Sequence, residues 1–265
     1  MAETADIIGA VRAQRPLVHN ITNYVAMNFN ANALLALGAS PAMVHAAEEV
    51  EEFVAISGSL VINIGTLDDR WVASMRLAAA KANDLRKPWV LDPVGVGATR
   101  FRLDACTSLL ALKPSIVRGN AAEIMTLAGA QGEAAAKGVD SLAASSDALG
   151  AARSLARAIG GAVVVSGEAD FITDGERAVE VRGGSEMITR VTAAGCALSA
   201  AVAAMLAVTD DKVAAGVAAC ALFKAAAGRA AQAATGPGGL AAAFLDALYA
   251  VRETDVERAV AIKAL

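Results

Sequence analysis

Three short stretches of this chain put reactive side chains beside residues that barely have any. Val191-Thr-Ala-Ala-Gly-Cys196 runs from a polar turn into an apolar helical pattern that continues through Val208. It reads as a helix N-terminus with Thr192 as N-cap, where Ala193, Ala194 and Gly195 leave the first backbone N–H groups open. Such an end carries about half a positive charge and admits a phosphate or a developing oxyanion. Cys196 stands in the first turn, where a thiol is expected to have a lowered pKa and to serve as hydrogen-bond acceptor or base. As a bland alternative, Cys196 is one more small residue on an Ala-rich core helix.

The second stretch, Leu91-Asp-Pro-Val-Gly-Val-Gly-Ala-Thr99, ends a strand on a carboxylate and follows it with glycines that permit close backbone approach. Asp92 there suits a phosphate or Mg²⁺ environment. The pattern lacks the third glycine of a dinucleotide fingerprint, and no G-x-x-x-x-G-K-[ST] occurs anywhere. In the third, Arg118-Gly-Asn-Ala-Ala-Glu123, a fixed cation at a strand end suits a polyphosphate, while Asn120 and Glu123 could hold Mg²⁺ through water. Asn120 and Glu123 also fit a capping box, and the two readings are compatible. The combined chemistry is phosphoryl transfer: Mg²⁺, an arginine, an anion hole and a base facing the acceptor.

The remaining pattern supplies the elements that would position these groups. A helix over 3–14 precedes a polar loop, Pro16–Asn23, and a helical pattern from Tyr24 to Leu37 that Thr22 or Asn23 could cap. Strands at Pro41–His45, Ser59–Ile64, Trp89–Leu91, Ser115–Val117 and Ala162–Val165 alternate with helices, and Phe171–Val181 reads as a hairpin turning at Asp174-Gly175. The rest is predicted helical. Alternation of this kind predicts a three-layer α/β/α architecture with a mostly parallel central sheet and ligand sites beyond the strand C-termini. Met43, Asn63, Asp92, Arg118, Asn120, Ser166 and Cys196 all fall at strand ends or helix starts.

With 265 residues, no repeat and no composition break, one domain over 1–265 is expected. Net charge is −4 and aromatics are 4%, without any Lys/Arg cluster, which excludes a nucleic-acid surface. Mean hydropathy is +0.49, but the apolar runs around 200–208 and 213–223 are split by Thr209–Lys212 and read as buried helices rather than spans. The acidic start lacks an apolar signal region, and three widely spaced cysteines exclude a CxxC metal site. A cytoplasmic location is expected. A Cys-nucleophile hydrolase would need His19 or His45 beside Cys196.

Taken in order, Pro16–Asn23, Ala39–Met43, Asn63–Thr66, Leu91–Ala98, Arg118–Glu123, Lys137–Ser141 and Val191–Cys196 resemble the hydroxyethylthiazole kinases of thiamine salvage, which have a ribokinase-like fold. The resemblance spans nearly the whole chain. It implies ATP-dependent phosphorylation of the primary alcohol of 4-methyl-5-(2-hydroxyethyl)thiazole, with Mg²⁺, in a homotrimer whose sites lie between subunits. By the same likeness Arg118 and Ser166 contact ATP, with Asn120 and Thr192 beside them, and Asp92 and Glu123 face the metal and phosphates. Met43, Asn23, Ala193 and Gly195 line the thiazole side, with Gly195 also in the anion turn. Cys196 faces the alcohol, where most ribokinase-like sugar kinases place an Asp. Many members of the family read Gly-Thr-Gly-Cys at the turn that is Ala193-Ala194-Gly195-Cys196 here. Other kinases of the same fold, or a Cys-nucleophile hydrolase, are the alternatives.

Overall fold

The computed structural model describes residues 2–130 and 143–265. The Lys137–Ser141 segment lies outside them. Nine strands form one sheet in the order β2-β1-β3-β4-β5-β6-β7-β8-β9. The first six, β1 (Leu17–Ile21), β2 (Ser40–Met43), β3 (Ser59–Asn63), β4 (Trp89–Asp92), β5 (Ile116–Asn120) and β6 (Ala162–Ser166), pair in parallel. Their carboxyl ends therefore share one edge. Antiparallel β7 (Ala169–Thr173), β8 (Ala178–Arg182) and β9 (Ala261–Ala264) extend the sheet on the far side.

Helices cover both faces. One face holds α1 (Ala2–Gln14), α2 (Met27–Leu37), α8 (Ala194–Leu206), α9 (Lys212–Ala233), α10 (Pro237–Ala250) and α11 (Glu253–Ala259), packed on Val18, Val61, Val90 and Ile116. The other holds α3 (Val50–Ile56), α4 (Asp69–Asp84), α5 (Arg100–Leu110), α6 (Ala121–Ala130) and α7 (Ala143–Ile159), with Leu60, Ile62, Trp89 and Leu91 facing them. Strands buried on both sides need apolar residues at every position, which is why β3, β4 and β6 read as unbroken apolar runs. Local capping starts the helices where expected: Asp68 accepts from Trp71 N–H at 2.8 Å, and Asp211 accepts from Val213 and Ala214.

Two elements differ from the sequence reading. Leu17–Ile21 is a strand between β2 and β3, not a loop. Its polar residues misled the pattern: His19 and Asn20 are fully buried, and local bonds absorb them, with Asn20 Nδ2 donating to Val18 carbonyl at 2.9 Å and His19 Nε2 within 2.9 Å of the Val44 carbonyl. Burial holds the His19 imidazole down at about 4. The second is β9, which follows α11 and pairs with the open edge of β8 where helix was predicted. In addition, α9 is a continuous apolar helix of 22 residues, long enough to cross a membrane, yet 83% of its most apolar window is buried inside the protein. It is a core helix here.

Candidate active site

The sheet edge collects Asn63, Asp92, Asn120 and Ser166 in adjacent strands, with Asn63 opposite Asp92 and Asn120 opposite Ser166. A chain of side-chain bonds connects the first of these. Asn23, just past β1, donates from Nδ2 to Asn63 Oδ1 at 2.8 Å, and Asn63 Nδ2 donates to Asp92 Oδ2 at 2.7 Å. Ser199 Oγ donates to that same Oδ2 at 2.8 Å. Oδ1 of Asp92 is buried without a hydrogen-bond partner in the protein. Burial pushes the Asp92 carboxyl up to about 6, although Arg118 and the two donors pull the other way.

Arg118 lies mid-way along β5 and is only 9% exposed. Its Nη2 donates to Ser166 Oγ, and Nη1 is 4.0 Å from Asp92 Oδ2. Its guanidinium also lies against Gly195: a Cβ built there would stand 3.0 Å from Nη1 and 3.2 Å from Nη2. A fixed cation is therefore packed beneath the positive end of α8. Two positive groups so close favour an added anion between or above them. The expectation that Arg118 packs little is thus corrected, since it fills the space under the helix.

The N-terminus of α8 differs in two respects from its sequence reading. Thr192 is not the N-cap; Ala193 is, with φ +65, ψ −1 and no side-chain cap bond. A left-handed residue reverses the chain here, so the turn takes the place of a capping hydroxyl and leaves the amides of Gly195 and Cys196 open. That conformation costs an L side chain about 1–2 kcal/mol, of which the looser unfolded chain of a glycine would return about half. Ala193→Gly is accordingly expected to stabilise the protein by about 1 kcal/mol and raise its thermal midpoint by about 2 °C, read by calorimetry. An unchanged or lowered midpoint would show that the methyl group makes compensating contacts.

The second correction concerns Cys196. Burial, then the nearby Asp92 charge, push its thiol up to about 11, outweighing the helix end and the Asn23 donor. Asn23 Nδ2 reaches Sγ at 3.4 Å. At neutral pH the residue is a thiol, and its hydrogen-bond partner is an amide rather than a histidine. His45 instead stacks on Trp71, ring centroids 4.5 Å apart.

Glu123 satisfies the capping box: Oε2 accepts from Asn120 N–H and Asn120 Oδ1 accepts from Glu123 N–H, both at 2.9 Å. Oε1 accepts from Gly95 N–H at 2.9 Å, so this carboxylate also fastens the loop after Asp92. Asn23 packs so tightly on Gly65 that a Cβ there would meet its Cβ at 2.7 Å. Met43 ends β2, half-buried, with β1 and β3 between it and Asp92. Sequence reasoning passed over Ser199 and Arg102. Ser199 looked like a small core residue, its one signal being its place three residues after Cys196. Arg102 donates from Nη1 to the Ile64 and Val94 carbonyls and from Nη2 to that of Gly65, clamping the loops after β3 and β4.

Beyond Ser166, a buried ion pair secures the β6–β7 turn. Lys224 Nζ is 3.3 Å from Asp170 Oδ1 and donates to the carbonyls of Gly167 and Glu168. Next to it is a cavity of about 450 Å³ lined by Gly183, Gly184, Ala225, Gly228, Arg229 and Gln232, among others. Arg182 pairs with Ala169, so Gly183 leaves the sheet on the same edge as Ser166. Among the described residues no group of three or more His, Cys, Asp or Glu side chains could hold a metal ion.

Comparison with known proteins agrees with this layout. Residues 8–254 match the model of the hydroxyethylthiazole kinase family. A hydroxyethylthiazole kinase of Rhizobium leguminosarum bv. trifolii is 53% identical over 246 residues, 92% of this chain and 91% of the relative. One from Cereibacter sphaeroides is 49% identical over 97% of both chains. The structure of a hydroxyethylthiazole kinase from Pyrococcus horikoshii OT3 superposes with a TM-score of 0.94 and 40% identity over the full length of both. A pyridoxal kinase of Staphylococcus aureus solved with AMP-PCP, 16% identical and covering 94% of this chain and 99% of its own, shares the fold with a TM-score of 0.66.

Proposed function

The chain belongs to the hydroxyethylthiazole kinase family and phosphorylates hydroxyethylthiazole in thiamine salvage; from that premise we propose how its strand-end residues divide the work. ATP is the donor, Mg²⁺ accompanies its phosphates, and the whole chain acts as one kinase domain within a homotrimer. The observation that carries the reading is Arg118 packed under the open amides of Gly195 and Cys196, a site whose charge calls for a phosphate.

Arg118 and Ser166 hold the transferring phosphates, with Asn120 and Thr192 at the margins of the same edge. The glycine-lined cavity beside Lys224 takes the flat nucleoside end. Asp92 fits a cation that arrives with the nucleotide, because it offers one free oxygen, Oδ1, and Mg²⁺ ordinarily takes one or two carboxylates plus phosphates and water. Glu123, with both oxygens already accepting backbone N–H groups, would reach such an ion through water. Bound there, Mg²⁺ would neutralise charge on the phosphates. Met43, Asn23 and Ala193 hold the thiazole, and Tyr24 and Val25, next to Asn23 and 65% and 61% exposed, are an apolar surface fit for a neighbouring subunit.

The hydroxyl oxygen attacks the γ-phosphorus as the bond to ADP breaks, and its proton leaves late, to phosphate or water. Cys196 orients that hydroxyl as a thiol and does not remove the proton as a thiolate. Losing one neutral hydrogen bond costs about tenfold, so Cys196→Ala is expected to lower kcat by about that factor with the KM for ATP unchanged. A thiolate base near 11 would make kcat climb tenfold per pH unit between 7 and 9; no such climb is expected. That climb, or a covalent adduct on Cys196, would restore the base or nucleophile reading. The assignment as a whole is tested by ADP release with the thiazole alcohol, with and without Mg²⁺, against pyridoxal and sugar alcohols. Turnover without a divalent cation would remove the role given to Asp92.

A further inference from the structure

Ser199 lies one turn past Cys196 on α8 and is fully buried. A helical serine ordinarily returns its hydroxyl to a carbonyl one turn back. This one crosses to the sheet and donates to Asp92 Oδ2 at 2.8 Å, the oxygen that also accepts from Asn63. That same oxygen faces Arg118 Nη1 at 4.0 Å, beyond hydrogen-bond distance, while Oδ1 has no partner in the protein.

We infer that Ser199, together with Asn63, is a positioning residue that holds the Asp92 carboxylate off Arg118 and turns Oδ1 toward the bound ligand. The inference rests on the nucleotide and cation reading above. A buried carboxylate and guanidinium at this separation attract each other, and their preferred arrangement is a closed bidentate pair. Closing it would consume both groups, leaving the phosphates without their arginine and the cation without its carboxylate. Two neutral donors on Oδ2 oppose that closure. Because Ser199 is on the helix that presents the Gly195 and Cys196 amides, its bond also sets the spacing between the anion turn and Asp92.

Ser199→Ala removes one donor and lets the carboxylate swing toward Arg118. The test is Mn²⁺ and ADP binding by calorimetry or electron paramagnetic resonance, beside steady-state kinetics. Loss of a hydrogen bond to a charged group is expected to weaken Mn²⁺–ADP binding by about 10- to 100-fold. The KM for ATP should rise by a similar factor while that for the thiazole alcohol stays put. Ser199→Thr, which keeps the hydroxyl, should recover most of the binding. Ser199→Cys, which keeps the volume but donates weakly, should behave like the alanine variant, and thermal midpoints report whether each variant folds. The inference is overturned if folded Ser199→Ala binds Mn²⁺–ADP as wild type does, if Ser199→Cys recovers fully, or if folded Ser199→Thr falls with alanine. Failure of the wild-type enzyme to bind Mn²⁺ with ADP would instead overturn the nucleotide reading beneath it.

Discussion

Arg118→Ala is expected to lower kcat/KM by at least about 10³-fold. Removing one preorganised donor from a charge-stabilising site typically costs about 10²–10³-fold, and here a second loss follows from the first. The guanidinium is among the influences that hold the Asp92 carboxyl down against its burial. Without it, Asp92 rises above about 6 and spends more of its time protonated at neutral pH, so the enzyme loses its phosphate clamp and part of its carboxylate together. Both effects appear in the KM for ATP as well as in kcat. Arg118→Lys should fall in between, because an ammonium keeps the charge but cannot at once reach Ser166 Oγ and lie flat against Gly195. The arginine is buried, so thermal midpoints should accompany the kinetics. A folded Arg118→Ala enzyme with an ordinary KM for ATP would contradict the assignment.

The expected chemistry was readable where it depends on topology. Asp92, Asn120 and Ser166 end successive parallel strands, and a parallel sheet puts all such ends on one edge whatever the intervening helices do. The likeness to a known family added roles to those positions. Reading failed where a tertiary effect outweighed a local rule. His19 and Asn20 made β1 look like a loop because their polarity is satisfied only once β2 and β3 flank them. Thr192 had the right side chain for an N-cap, but a backbone reversal at Ala193 terminates the helix instead. The helix end that should lower the Cys196 pKa is outweighed by burial and by Asp92, neither of which is local in sequence. Ser199, 107 residues from Asp92, sits in an Ala-rich stretch with nothing to separate it from packing residues.

Asp92→Asn is expected to lose nearly all activity and to gain stability at neutral pH. The folded protein holds the Asp92 proton more tightly than the unfolded chain does, at about 6 against an ordinary 3.8. Stability from this group is therefore fully present below about pH 4 and is lost as pH rises through about 6, after which the deficit stays constant. The difference of about two pKa units corresponds to about 3 kcal/mol, and the attraction of Arg118 is already contained in it. Asparagine resembles the protonated carboxyl: its oxygen can accept from Asn63 and Ser199 as Oδ2 does, and it brings no charge into the core. The variant should match wild type near pH 4 and be more stable by up to about 3 kcal/mol at pH 7.5, a rise of up to about 6 °C in thermal midpoint. Its amide group, however, puts N–H donors where Oδ1 stood. A cation or a water serving the phosphates needs an acceptor there, so kcat/KM should fall by about 10³-fold or more. Thermal unfolding at the two pH values, with kinetics at pH 7.5, separates the outcomes. An active Asp92→Asn enzyme would remove the residue from the reaction, and an inactive one less stable at pH 7.5 would mean that the charge serves the fold through Arg118. Stability gained together with activity lost would locate the energetic cost of a buried carboxylate at the group the reaction uses.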